Sequence, residues 1–185
     1  QAGDIAMHYE LSGPANAPVV CLHHCFASSM GYWEAHLPAL EGFRVLRFDA
    51  RGHGGTDAPA GPYTLDMMAA DVLNLLNALK IDQVHFCGVS LGGQIAQTFT
   101  LAYPDRVASL ILVNTTCEYT DAQSDLWRSR AQQALDEGMD AIAGLLMERW
   151  FTADAAKRQI PGYLYMKKAI AAFTPAAFDD GVHAL

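Results

Sequence analysis

Gly88-Val89-Ser90-Leu91-Gly92-Gly93-Gln94 is the stretch on which the reading of this chain turns. Upstream, Val84 to Val89 is a short apolar run; downstream, Leu91 to Tyr103 is apolar at helical spacing and is stopped by Pro104. The seven residues therefore span a strand-to-helix junction with one serine at its apex. So tight a turn strains the serine backbone and exposes its hydroxyl, while a side chain at position 88 or 92 would strike neighbouring backbone. The following helix directs its N-terminal dipole at the same point, where it favours a developing oxyanion.

The pattern around this junction is an alternation of strands and helices. Asp4 to Leu11 alternates, with Ile5, Met7, Tyr9 and Leu11 on one side, and predicts a half-buried strand that ends at Ser12-Gly13-Pro14. Val19 to Leu22 and Phe43 to Phe48 read as buried strands, with Trp33, Leu37 and Leu40 at helical spacing between them. Leu65 to Leu79 is a strongly periodic helix, and Val107 to Asn114 is a further strand. The class is α/β, with a mostly parallel, doubly wound sheet. After Asn114 the alternation stops, and Trp127 to Leu135, Met139 to Trp150 and Tyr163 to Phe173 read as helices. We therefore divide the chain into a core part, residues 1–114, and a helical lid, residues 115–185, laid across the carboxyl ends of the strands, where open sheets of this class place their ligands.

Composition agrees with a packed enzyme-sized unit and excludes other classes. The 185 residues, 51% of them hydrophobic and 17% charged, describe a globular chain, not a disordered or fibrous one. A net charge of -8 would be repelled by a phosphate backbone or an anionic surface, so neither nucleic acid nor a membrane is an expected partner. No apolar run approaches a membrane span of about 18 residues. The four cysteines, Cys21, Cys25, Cys87 and Cys117, form no dense framework, and reduced thiols in a cytoplasmic protein are the expectation. Cys21, His23 and Cys25 share one side of a strand, but three ligands on one extended segment make a poor tetrahedron, so no metal and no other cofactor is expected.

Further stretches carry a resemblance over nearly the whole chain. Leu22-His23-His24-Cys25-Phe26, Arg47-Phe48-Asp49-Ala50-Arg51-Gly52-His53-Gly54-Gly55-Thr56-Asp57 and Tyr103-Pro104-Asp105-Arg106-Val107, together with the serine turn, resemble the α/β-hydrolase family. The resemblance implies that Ser90 is a nucleophile forming an acyl-enzyme, and that the backbone N–H groups of Phe26 and Leu91 form an oxyanion hole. Cys25 stands where the family commonly has glycine, a change expected to narrow that loop or alter its backbone angles. His53 is implied to stabilise its loop rather than to act as a base. Thr115-Thr116-Cys117 and lid stretches such as Glu148-Arg149-Trp150-Phe151-Thr152 are similar to bacterial 3-oxoadipate enol-lactonases, which implies a small ester or lactone as substrate. Trp127, Trp150, Tyr163 and Tyr165 are candidates to line a pocket under the lid, and Arg149 or Lys167 to meet a substrate carboxylate.

The family order is serine, then acid, then histidine, yet the one histidine after Ser90 is His183. Asp179 and Asp180 stand three and four residues before it, the spacing of a surface pair on a helix. The expectation is a chain that lacks its last strands and helices together with the acid and histidine loops, and whose first strand is also missing. Such a sheet would expose an edge open to self-association or to a complementing C-terminal fragment. The alternative to a working hydrolase is thus a catalytically incomplete fragment or a non-catalytic binding protein on the same fold.

Overall fold

The structure, a computed structural model, describes residues 1–185. Its sheet is built from β1 (Tyr9–Ser12), β2 (Val19–His23), β3 (Arg44–Phe48), β4 (Val84–Val89) and β5 (Val107–Val113), in the spatial order β1-β3-β2-β4-β5. β1 runs antiparallel to β3, and the other pairings are parallel. The chain winds outward from β2 to β3 and then returns past β2 to lay down β4. The switch point of the sheet therefore lies between the carboxyl ends of β2 and β4, where a crevice is expected.

Side-chain alternation sends the two faces of the sheet into two apolar clusters. Cys21, Leu46, Val84 and Phe86 face the larger one, with helices α1 (Leu65–Ala78) and α2 (Leu91–Ala102) packed over them. Val20, Leu22, Val45, Cys87 and Val89 face the smaller one, closed by Trp33 from a 3-10 segment, Met30–Leu40. That segment contains the Trp33, Leu37 and Leu40 spacing read as helical. α1 begins on a Thr64 cap whose hydroxyl accepts from the Met67 N–H, and buries Met68, Val72, Leu75 and Leu76.

Five helices follow β5: α3 (Asp121–Glu137), α4 (Met139–Trp150), α5 (Ala153–Arg158), α6 (Pro161–Ala171) and α7 (Pro175–Val182). Residues of α3, α4, α6 and α7 share the larger cluster with the sheet, so the core is continuous across residue 114. Phe26, in the loop after β2, is the seam: its ring lies 5.7 Å from Trp127 of α3 and 4.9 Å from Phe178 of α7. From α6, the Tyr165 hydroxyl accepts from the Ser29 N–H at 3.1 Å and donates to the Ser29 carbonyl at 3.0 Å.

Three differences from the sequence reading have physical causes. The alternation from Asp4 does not make one long strand, because loop 49–57 takes the early backbone partners. Ala6 N–H donates to Asp57 Oδ2 at 2.8 Å and His8 N–H to Thr56 Oγ1 at 2.9 Å, so ladder pairing starts at Tyr9. α3 starts six residues before Trp127, on a capping box of Thr120 and Gln123. α5 was not anticipated, nor was α7 beyond the helical spacing of Asp179, Asp180 and His183; each starts on a threonine cap. β5 forms one edge of the sheet, with Ile111, Leu112 and Val113 exposed, and Leu101 of α2 is 85% exposed.

A buried ion pair ties the loop after β3 to α1. Arg51 donates through Nε to Asp71 Oδ2 at 2.8 Å and through Nη2 to Oδ1 at 2.7 Å, and both side chains are almost fully buried. Removing Asp71 leaves Arg51 only the exposed Asp4 carboxylate, 3.2 Å from Nη2, and so strands most of its charge in the interior. Asp71→Ala is expected to lower unfolding free energy by about 3–5 kcal/mol, read from denaturant midpoints at constant slope.

Candidate active site

Ser90 sits between the last residue of β4 and the first of α2, at the carboxyl end of the sheet. Its backbone is in the left-handed region, φ 54° and ψ -119°, a conformation that costs roughly 1–3 kcal/mol for a residue with a side chain. The neighbours hold it there. Ser90 N–H donates to the Val113 carbonyl at 3.0 Å, and its own carbonyl accepts from Gly93 N–H at 2.9 Å and from the Thr115 hydroxyl at 2.7 Å. A Cβ on Gly88 would collide with the Gly92 carbonyl, and one on Gly92 would lie 2.5 Å from the His23 carbonyl oxygen and 2.6 Å from that of His24. The glycines are thus what lets β2, β4 and the start of α2 approach one another.

Leu91 is the first residue of α2, and its N–H is among those a helix leaves unpaired. Neither the Leu91 nor the Phe26 N–H donates to an acceptor within the protein, whereas Gly93 and Gln94 both donate to the Ser90 carbonyl. Phe26 follows β2, the strand next to β4, so both free donors come from the switch point. The plane carrying the Phe26 N–H is fixed from behind. His24 Nδ1 donates to the Cys25 carbonyl at 2.8 Å, which is the other half of the same peptide unit, while its Nε2 accepts from Ala50 N–H at 3.0 Å. That pairing sets the neutral tautomer. Cys25 itself has an ordinary negative φ; the left-handed residue in this loop is Ala27, φ 54°, so the change from glycine does not require the altered angles expected of it. Burial pushes the Cys25 thiol up to about 11.

Behind this loop lies a polar hub. Asp49 accepts from Met30 N–H at 2.6 Å, Gly55 N–H at 2.9 Å and His8 Nδ1 at 2.7 Å. Burial alone would raise its pKa, but these donors outweigh it and hold the carboxyl below its ordinary range. His53 is fully buried, with Nδ1 donating to the Arg51 carbonyl at 2.9 Å and its ring 5.1 Å from that of His24. Burial, reinforced by His24, lowers its pKa to about 3. His23 and His24 are also held below the usual histidine value, chiefly by burial.

A cleft of about 890 Å³ opens above Ser90, lined by Cys25, Phe26 and Val89 from the strand ends and by residues of α3, α4 and α6. Trp127, Trp150, Tyr165 and Arg149 line it as the sequence suggested, whereas Lys167 does not and Tyr163 packs instead against Phe151 at 5.4 Å. His183 is exposed at the end of α7 and lies outside the lining. The lining residues that the sequence reading did not single out include His36 of the 3-10 segment and Arg130 of α3. For Arg130 a signal exists in its three-residue spacing from Trp127, which stacks the two on one helical face.

A serine on a strained strand-to-helix turn that lines a cleft, with main-chain N–H groups left unpaired at Leu91 and, after the neighbouring strand, at Phe26, is an arrangement able to support acyl transfer. A family model described as the α/β-hydrolase fold matches residues 18–166. The chain belongs to the α/β-hydrolase family. It is 34% identical over 152 residues to 3-oxoadipate enol-lactonase 2 of Acinetobacter baylyi, a match covering 82% of this chain and 56% of that protein. It superposes on the crystal structure of the enol-lactonase from Burkholderia xenovorans with a TM-score of 0.93 and 33% identity, covering 99% of this chain and 71% of the other. A hydrolase from Pseudomonas aeruginosa gives a TM-score of 0.91 at 33% identity, covering 100% and 73%. The chain spans about half the length of the curated relatives it matches. All four cysteines are free, and no helix is long and apolar enough to cross a membrane.

Two outcomes follow from this packing. Gly92→Ala places a methyl group against backbone oxygens that cannot move aside, and is expected to cost about 1–3 kcal/mol or more in unfolding free energy. His23, His24 and His53 are neutral when folded and take up protons near pH 6.5 when unfolded. Their contribution is complete above that pH and is lost as pH falls towards the folded values, about 3 for His53, at roughly 1.4 kcal/mol per unit of depression. Asp49, also depressed, acts with the same sign. Denaturant midpoints measured from pH 7 down to pH 4 are expected to decline steadily.

Proposed function

We propose that this protein is a serine hydrolase that opens a small ester or lactone through an acyl-enzyme on Ser90. The observation that carries the reading is the left-handed Ser90 backbone in the lining of the cleft, together with N–H groups at Leu91 and Phe26 that no acceptor in the protein takes up. In this reading the Ser90 Oγ attacks the acyl carbon, and the carbonyl oxygen takes up negative charge opposite the two N–H groups and the positive end of α2. Collapse of the tetrahedral species breaks the acyl C–O bond, with the Oγ proton passing to the leaving oxygen and the acyl group remaining on Oγ; water then adds to the same carbon, one of its protons returns to Oγ as the C–Oγ bond breaks, and the acid is released. The likeness to enol-lactonases favours 3-oxoadipate enol-lactone as the substrate. Residues 115–185 act as the lid over the core of residues 1–114, and a cytoplasmic location belongs to the same proposal.

A second reading is ligand binding without turnover, and one observation favours it. The cleft lining contains no aspartate or glutamate, and its one histidine, His36, stacks on Tyr32 at 6.3 Å with no acid partner. A fluorophosphonate separates the two. The expected outcome is a single adduct on Ser90 by intact mass, absent in Ser90→Ala, with ester or lactone turnover lost by about a thousandfold or more in that variant. A Ser90 that stays unlabelled overturns the acyl-enzyme reading for this chain and leaves binding without turnover.

A further inference from the structure

Phe26 and Ala27 form the middle of a loop that supports itself poorly. Neither residue gives or takes a main-chain hydrogen bond, and Ala27 lies at φ 54°, a conformation that a residue with a Cβ keeps only where its surroundings impose it. The loop is therefore fixed from its two ends. Toward β2, His24 holds the Cys25 carbonyl. At the far end Asp49 holds the Met30 N–H, and the remaining ties, at Ser28 and Ser29, come from α6 of the lid.

The tie at Ser29 is a single hydroxyl used to capacity. Tyr165 of α6 donates its one proton to the Ser29 carbonyl at 3.0 Å, and accepts from the Ser29 N–H at 3.1 Å and from the Ser29 hydroxyl at 2.8 Å. The next residue, Met166, accepts from the Ser28 hydroxyl on its sulfur at 3.5 Å. The ring of Tyr165 fits because residue 31 is glycine: a Cβ there would stand 2.9 Å from Tyr165 Cε2. α6 itself packs on α4 and on the 3-10 segment that follows the loop. Seating α6 and fixing Ser28 and Ser29 are thus one event, two and three residues from the Phe26 N–H.

We propose that Tyr165 is a positioning residue: its hydroxyl locks the loop that carries the Phe26 N–H to lid helix α6, so that this donor is held in place only while α6 is seated. The inference rests on the reading of Ser90 and the Phe26 N–H as acyl-transfer machinery, and adds to it a coupling between lid and donor. A displaced α6 takes the acceptor from the Ser29 N–H and removes the support on which the left-handed Ala27 depends. The carbonyl oxygen of a substrate then meets one ordered donor, at Leu91, in place of two.

The test uses the full chain and two measurements. Fluorophosphonate labelling of Ser90, followed by intact mass over a range of reagent concentrations, separates the limiting rate kinact from the binding constant KI. Tyr165→Phe keeps the ring and deletes the three hydrogen bonds, and is expected to lower kinact about tenfold or more with KI changed less than about threefold. Gly31→Ala, which pushes the same ring aside, is expected to do likewise, whereas Tyr163→Phe, whose ring packs on Phe151 outside the cleft lining, should leave both constants unchanged. Amide hydrogen exchange at Met30 reads the loop directly, because its N–H is bonded to Asp49 and not to Tyr165; exchange is expected to quicken about tenfold in Tyr165→Phe while the β4 amides keep their protection. An unchanged kinact overturns the proposal, as does a loss confined to KI, a fall shared by Tyr163→Phe, or Met30 exchange equal to that of the unaltered protein. An unaltered protein that stays unlabelled removes the acyl-enzyme reading, and Met30 exchange then decides the lock alone: faster in Tyr165→Phe keeps it, equal removes it.

Discussion

The left-handed backbone of Ser90 is the constraint from which the rest of the site follows. A residue with a Cβ does not remain at φ 54° unless its surroundings leave it no alternative. Here β5 supplies the acceptor for its N–H, Thr115 and the first turn of α2 occupy its carbonyl, and glycines at 88, 92 and 93 remove every side chain that would push the two strands and the helix apart. That close approach sets β2 beside β4 at the crevice, and with it brings the Phe26 N–H to the same end of the sheet as Leu91. The strain is held by packing on three sides, so the geometry is present before any ligand arrives.

Around this point the molecule separates charge from polarity. Interior ions are paired, as in Arg51 with Asp71, or ringed by donors, as in Asp49. Interior histidines are kept neutral, and His24 converts that neutrality into orientation: one ring nitrogen donates, the other accepts, and the peptide between Cys25 and Phe26 cannot rotate.

How much of this was legible depended on how local the cause was. β4 and α4 begin and end where the sequence placed them, because a buried parallel strand and a run of apolar residues at helical spacing advertise themselves within their own residues. The segment from Asp4 did not, since its backbone partners come from Thr56 and Asp57, some fifty positions away. α5 and α7 have 6 and 8 residues, too few for a period to emerge, and only the caps Thr152 and Thr174 announced them. The clearest case is Arg128 and Arg130. They are two residues apart on one helix with identical chemistry; spacing sets Arg128 one turn from Asp125 and Arg130 one turn from Trp127, and the packing of α3 decides which of these faces meets solvent and which the cleft. The serine junction was readable because turn, strand and helix all constrain it from adjacent positions.

Phe26 divides its labour between main chain and side chain. The N–H has no acceptor in the protein, and any residue but proline would supply it. The ring packs on Trp127, Phe173 and Phe178, where it seats α3, which lines the cleft, and α7 against the loop after β2. The two roles are therefore free to vary independently: an exchange of one bulky apolar side chain for another at this position can reshape the roof, and with it the range of molecules admitted, without touching the donor beneath.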